Sequence, residues 1–292
     1  MPKLYQPDQN LIIKASQNLP LNMFRAYDIR GKTDLDLTEN LSYLIGRAFA
    51  NELSAVGGNS VVIGRDCRNS SFGLHNATAQ GLIDSGQIVI DIGEVPTPVL
   101  YFATYYLGCD AGIMITGSHN PKEYNGLKLS LMGKPFYGSQ ILRLKDHIIK
   151  QKFHDGVGDY MKKEVAKAYE EVLLKNILPP VRKLKVIIDS GNGMAGELAP
   201  KIASKLNHDV VELFCEIDGN FPNHHPDPSK PENLSRLIET VKKEKADLGL
   251  AFDGDADRLG VIDSWGRVIW PDRQLILFAK NILKECPGAS FI

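Results

Sequence analysis

Two short stretches hold residues whose types and spacing could do chemistry. In LGLAFDGDADRLG an apolar run delivers Asp253, Asp255 and Asp257 at every second position, a spacing that can turn three carboxylates toward one point. Three hard oxygen ligands suit Mg²⁺, which keeps positions open for water and phosphate oxygens. A calcium-hand loop counted from Asp253 would need Gly sixth and Glu twelfth, where the chain has Arg258 and Ser264. A solvated acidic turn is the plain alternative, since turns favour Asp and Gly. Arg258, beside the carboxylates, could bind phosphate as a fork of donors or merely neutralise the turn.

The second stretch, TGSHNPKEYNGLK, follows the apolar run AGIMI and places Ser118 and His119 on a glycine-flanked loop. A serine hydroxyl is a poor nucleophile unless a base, metal or charge activates it. Alone, the pair reads equally as turn chemistry, and Asn120-Pro121 is a turn signal. Taken together the two stretches say more. A phosphate on Ser118 would add close to two negative charges and three acceptor oxygens, which would complete a metal site and need cationic support. Lys128, Arg30 and Arg258 are the candidates. A haloacid dehalogenase-like phosphatase, with Asp253 as nucleophile, is a rival reading of the acidic loop, but it expects Thr or Val where Asp257 stands and leaves the serine loop unexplained.

These loops need elements to position them. Segments 61–66, 88–92 and 111–116 read as strands ending in the loops RDCRNSS, GEVPTP and TGSHNP. Segments 186–189, 210–214 and 248–253 form a second trio, ending in DSGNGMAG, EIDGNFP and DGDADR. The alternation of such runs with helical patterns is the signature of parallel α/β units, as where Leu41, Leu44, Ile45, Ala48 and Phe49 share one helical face. The two trios imply an internal duplication, with the serine and aspartate loops in equivalent places at strand carboxyl ends, where open α/β sheets bind ligands. Residues 145–183 read as charged and helix-prone, and Pro179-Pro180 marks a boundary. The helix expected at 271–285 carries Leu275, Phe278, Ala279, Ile282 and Leu283 on one face, and ASFI reads as the first strand of a third unit. The domain expectation is therefore an N-terminal extension (1–20), an α/β/α domain with the serine loop (21–160), a second with the aspartate loop (161–266), and the start of a third (267–292).

Composition narrows the function classes. With 34 basic and 35 acidic residues the net charge is −1, without the basic footprint of a nucleic-acid binder. Cys67, Cys109, Cys215 and Cys286 lie far apart with no C-x-x-C pair, which fits reduced thiols and a cytoplasmic setting. No segment reaches the roughly 20 apolar residues of a membrane span.

FRAYDIRG, TGSHNPKEYNGLK, FPNHHPDP and FDGDADR resemble the α-D-phosphohexomutases, most closely the bacterial phosphomannomutase/phosphoglucomutase members, from about Leu21 onward. The resemblance implies tandem α/β/α domains around a cleft and interconversion of hexose 1-phosphate and hexose 6-phosphate. Ser118 would be the phosphoserine, with a hexose 1,6-bisphosphate intermediate. It implies Mg²⁺ on Asp253, Asp255, Asp257 and a phosphoserine oxygen, and glucose 1,6-bisphosphate or its equivalent as phosphorylating activator. Arg30 and Lys128 would assist proton transfer, His119 would orient the serine loop or meet substrate, and Tyr27 and Arg258 would serve substrate or phosphate. The full-length form is expected to be a monomer. The family's sugar loop and distal phosphate loop have no counterpart here, so sugar choice is not legible and the chain by itself is expected to lack turnover; a non-catalytic remnant binding metal or phosphosugar is the alternative.

Two departures carry physical content. Leu127 replaces a Phe common in the family, a mild apolar change. Ala256 replaces a Gly, which is tolerable only if position 256 needs no positive φ. His224 and His225 read as loop structure, since neighbouring histidines on an extended loop do not both face one ion.

Overall fold

The protein is described from a computed structural model over residues 4–291. The first unit opens with α1 (Gln9–Gln17), β1 (Ile29–Lys32) and α2 (Glu39–Ala55). It continues through β2 (Ser60–Arg65), α3 (Ser71–Ile83), β3 (Ile88–Glu94), α4 (Thr97–Tyr106), β4 (Ala111–Ile115) and β5 (Tyr124–Leu131). After these come β6 (Lys134–Pro135), α5 (Ser139–Ile149), β7 (Asp159–Lys162) and α6 (Ala166–Asn176). The second unit comprises β8 (Lys185–Asp189), α7 (Ala195–Lys205), β9 (Asp209–Leu213), α8 (Ser235–Lys243), β10 (Leu248–Phe252), β11 (Leu259–Asp263) and β12 (Val268–Ile269), followed by α9 (Pro271–Glu285).

The duplication is visible in the strand order. The first sheet runs β1-β5-β4-β2-β3-β7 and the second β12-β11-β10-β8-β9. In both, three parallel strands (β4, β2, β3 and β10, β8, β9) are followed by an antiparallel neighbour, β5 or β11. The serine loop joins β4 to β5 and the aspartate loop joins β10 to β11, so the two are equivalent connections at the carboxyl ends of equivalent strands.

The apolar runs form these strands because both sheet faces are covered. The period-2 alternation of a strand sends Val61, Ile63, Ala111, Ile113 and Ile115 into the core beneath α2, α3 and α5, and Val62 and Met114 into the core beneath α4. The expected face of α2 is buried throughout, and the Thr38 side chain caps its first turn by accepting from Leu41 N–H at 3.3 Å. In the second unit, Leu237 and Val241 of α8 pack on Ile187, Ala251 and Ile262.

Two features differ from the sequence expectation, and the N-terminal extension can be added to it. Residues 159–162 form a strand, β7, parallel to β3 in register from Asp159 to Lys162, although the stretch is charged; Tyr160 adds a side-chain tie, donating its hydroxyl to Asp91 at 2.5 Å. The described part of the N-terminal extension is packed: Ile12 joins the first core and Tyr5 donates to Asn40 Oδ1 at 2.6 Å. Residues 289–291 form no strand, and Ile292 lies outside the described residues. Helix α9 forms as expected, with Leu275, Phe278, Ile282 and Leu283 exposed. Among the described residues no helix is long and apolar enough to cross a membrane.

Candidate functional site

The serine loop is shaped from below by Asp66 and Arg68, which follow β2. Asp66 accepts hydrogen bonds from Thr116 Oγ1 (2.7 Å), Gly117 N–H (3.1 Å) and Ser71 Oγ (2.5 Å). Arg68, fully buried, pairs with Asp66 at 3.2 Å. Its guanidinium donates to the carbonyls of Pro121, Tyr124, Ser118 and Asn120 at 2.7–3.1 Å. A planar fork with five donors can satisfy several loop carbonyls at once, which an ammonium cannot do in a fixed plane. Asn120 closes the turn onto Gly117 O at 3.0 Å. So held, Ser118 sits buried at φ 49°, a left-handed conformation uncommon for a residue with a Cβ.

The hydroxyl of Ser118 points across the boundary between the two units. It donates to Asp253 Oδ2 at 2.9 Å and lies 3.3 Å from His119 Nδ1. The two loops approach closely enough that a Cβ at Gly254 would fall 2.5 Å from Ser118 O, so glycine at 254 is a steric requirement. Asp253, Asp255 and Asp257 each offer a carboxylate oxygen within 4.8 Å of the others. Asp253 Oδ1 accepts the backbone N–H groups of Asp257 and Arg258, both at 3.0 Å. Asp255 Oδ2 accepts from Thr97 Oγ1 and Lys128 Nζ, both at 2.5 Å, while its Oδ1 is buried with no partner among the described residues. Lys128 Nζ also donates to Asp257 Oδ2 at 2.5 Å.

Burial, with Asp255 and Asp257 adding repulsion, pushes the Asp253 carboxyl well above the usual carboxylate range. Burial would raise Asp255 too, but the Lys128 charge and its hydrogen bond prevail and lower it. Burial works against the Lys128 ammonium, yet the two carboxylates outweigh it and raise its pKa. The proton is therefore held on Lys128, the reverse of what a general base there would need. Burial lowers the His119 pKa, helped by the charges of Arg258 and Arg30, which favours a neutral imidazole beside the serine. A donor set of three carboxylates with one buried oxygen unsatisfied fits a hard divalent cation.

Arg30 is buried and paired with Asp28 at 2.6 Å. It lies opposite Gly126 in the β1–β5 register, which puts it on the same sheet face as Lys128, two residues along β5. Tyr27 and Arg258 do not join the contact set. Tyr27 is exposed, its ring stacked 6.5 Å from that of Tyr137. The Arg258 side chain is exposed and forms no ion pair among the described residues, so it does not serve to neutralise the turn; the cation paired with the cluster is Lys128. His224 binds Asp189 at 3.0 Å through Nε2 and His225 O at 3.0 Å through Nδ1, so its two ring nitrogens are committed to loop structure. Ala256 lies at φ 61°. The condition set for an unstrained alanine at this position is therefore not met: the turn between Asp255 and Asp257 takes a positive φ, and the chain bears the strain.

Comparison with known proteins decides the lineage. The family description phosphoglucomutase/phosphomannomutase, alpha/beta/alpha domain I, matches residues 21–155, and domain II of the same description matches residues 153–266. The chain belongs to the phosphoglucomutase/phosphomannomutase family. It is similar to the phosphomannomutase/phosphoglucomutase of Pseudomonas aeruginosa, at 48% identity over 94% of this chain and 59% of that protein. It is also similar to the phosphoglucomutase of Neisseria gonorrhoeae, at 46% identity over 93% of this chain and 59% of that protein. The crystal structure of a phosphoglucomutase/phosphomannomutase family protein from Burkholderia thailandensis superposes with a TM-score of 0.89 at 46% identity, covering 93% of this chain and 61% of that one. The chain thus spans about three fifths of the length of these relatives.

Of the residues that hold these loops, Arg68 and Thr97 were not singled out from the sequence, and Asp66 was read only as the end of a strand. The loops that carry them, RDCRNSS and GEVPTP, end strands of the first unit, and that position was their one signal.

Proposed function

We propose that this chain carries the phosphoryl-transfer centre of a cytoplasmic hexose-phosphate mutase that interconverts hexose 1-phosphate and hexose 6-phosphate. The observation that carries it is Ser118 Oγ at 2.9 Å from Asp253, at the edge of a three-carboxylate cluster supplied by the second unit. Four free thiols are in keeping with the setting. On this reading residues 21–160 present the serine and 161–266 the carboxylates.

In the resting enzyme Ser118 carries a phosphoryl group. A free hydroxyl of the bound hexose monophosphate attacks phosphorus and gives up its proton, the P–Oγ bond breaks, Ser118 Oγ takes up a proton, and a hexose 1,6-bisphosphate results. The other phosphate then returns to Ser118. Asp253, Asp255, Asp257 and a phosphoserine oxygen would hold Mg²⁺, which when bound neutralises charge on the transferring group. The chain's own residues supply the rest. His119, neutral and 3.3 Å from Oγ, is placed to hold or pass the serine proton. Lys128 and Arg30, both cationic and on one sheet face, offset charge that develops at the substrate hydroxyl and the phosphoryl oxygens. Tyr27 and Arg258, exposed at the rim, are free to meet substrate.

Incubation with glucose 1,6-bisphosphate labelled in phosphate is expected to transfer label to Ser118, located by mass spectrometry, and Ser118→Ala is expected to abolish it. Label on Asp253 would instead establish the phosphatase chemistry. A chain that takes no label from this donor would be a binding remnant.

A further inference from the structure

Asp255 is held from the other unit, by a residue that is neither a carboxylate nor a cation. Thr97 opens α4 and is fully buried. Its backbone N–H donates to the Asp255 carbonyl at 2.9 Å, and its hydroxyl donates to Asp255 Oδ2 at 2.5 Å. Pro96 precedes it and Pro98, which has no N–H, follows, so the start of α4 is capped across the unit boundary by the aspartate loop. The positive end of the α4 dipole thus meets the Asp255 backbone carbonyl. Lys128 shares Oδ2, and Oδ1 is the buried oxygen left without a donor.

We infer that Thr97 is a positioning residue for the metal site: by engaging Oδ2 it fixes the carboxylate plane of Asp255 so that Oδ1 faces the point where Asp253 and Asp257 converge. The inference rests on the metal reading of that cluster. The physical requirement is specific. Without the hydroxyl, Lys128 alone holds Oδ2, and a flexible ammonium shared with Asp257 does not define the plane of a carboxylate. A threonine methyl, by contrast, contributes packing that valine reproduces. Because the bond crosses from one unit to the other, it also ties the metal geometry to the relative placement of the serine loop.

The test compares wild type, Thr97→Val and Thr97→Ser in the full 292-residue chain. Mn²⁺ affinity is read by electron paramagnetic resonance and Mg²⁺ affinity by calorimetry, with urea unfolding in EDTA as the control for folding. Groups that orient metal ligands are worth about 10–100-fold in affinity, so Thr97→Val is expected to weaken Mn²⁺ binding by about 10-fold and to broaden its hyperfine pattern. Thr97→Ser is expected to restore affinity to within about 2-fold of wild type. Wild-type affinity in Thr97→Val, or equal loss in Val and Ser, would overturn the positioning role. If Thr97→Val does not fold, Thr97→Ala against Thr97→Ser makes the same comparison. A wild-type chain that binds neither ion would overturn the metal reading itself, a different result from binding that is indifferent to Thr97.

Discussion

The serine loop and the aspartate loop occupy the same place in successive units, after β4 and β10, yet they are held by opposite means. The first is fixed within its own unit: Asp66 holds the Thr116 hydroxyl and the Gly117 N–H, and Arg68 holds four carbonyls. The second is a cluster of like charges whose neutralising contacts come largely from the other unit, through Ser118, Thr97 and Lys128. One fold connection has thus been made into a rigid pedestal and into a charged receptor that closes only against its twin. A group that must be presented in one orientation benefits from the former, and a group that must take up a cation benefits from the latter.

The largest effect that could break this comparison lies under the serine loop. Arg68→Ala would leave Asp66 buried and unpaired and strand four carbonyls. Removing one partner of a buried ion pair costs about 3–5 kcal/mol, and a loss of that size is expected in urea denaturation. A loss below about 1 kcal/mol would show that the loop is not held by its own unit. Arg68→Lys should recover only part, because an ammonium cannot reach all four carbonyls in one plane.

A smaller effect of opposite sign is expected at the aspartate loop. A carboxyl whose folded-state pKa is raised binds its proton more tightly folded than unfolded. Its contribution is fully present below the unfolded pKa of about 4 and is lost as pH rises from there through the folded value. Asp253 is such a group, through burial and its two acidic neighbours. In EDTA, therefore, Asp253→Asn is expected to make the protein more stable by about 1–2 kcal/mol at pH 8, with the gain shrinking toward pH 4, a tenfold change in proton affinity being worth about 1.4 kcal/mol. The asparagine Oδ1 can still accept from Asp257 and Arg258 N–H, so the loop keeps its shape. A mutant less stable than wild type at pH 8 would mean that the cluster is not under electrostatic strain.

The contrast between the two loops was only half legible in the sequence. The strands, the duplication and the residues Ser118, Asp253, Asp255 and Asp257 could be read because apolar runs and carboxylate spacing are local signals. What fixes those residues was not local. Arg68 and Thr97 act on loops 50 and 158 positions away, and nothing in RDCRNSS or GEVPTP says which carbonyl or carboxylate each will meet. β7 was missed because it is held by pairing with β3 and by Tyr160 reaching Asp91, contacts that no apolar alternation in the stretch announces. Lys128 was found, but the balance of burial against two carboxylates that keeps its proton in place required the geometry.

The smallest effect concerns backbone strain, which the two loops share. Ser118 and Ala256 both lie in the left-handed region, at φ 49° and 61°, and each sits directly beside a residue of the acidic or serine cluster. A non-glycine residue there costs about 1–2 kcal/mol through its Cβ. At Ser118 the hydroxyl is the reason to keep a side chain, so the strain has a functional counterpart. At Ala256 the methyl has no polar role; it lines an apolar cavity of about 380 Å³ together with Phe252 and Pro96. Replacing it by glycine removes the Cβ clash but adds freedom to the unfolded chain, worth roughly 0.5–1 kcal/mol in the other direction. Ala256→Gly is therefore expected to stabilise the protein by about 0.5 kcal/mol in urea denaturation and to leave Mn²⁺ affinity within about 2-fold of wild type, since the carboxylates flanking it are held by other bonds. Destabilisation beyond about 1 kcal/mol would show that the Ala256 methyl braces the aspartate loop against the cavity, giving that loop a pedestal of its own and erasing the distinction between the two.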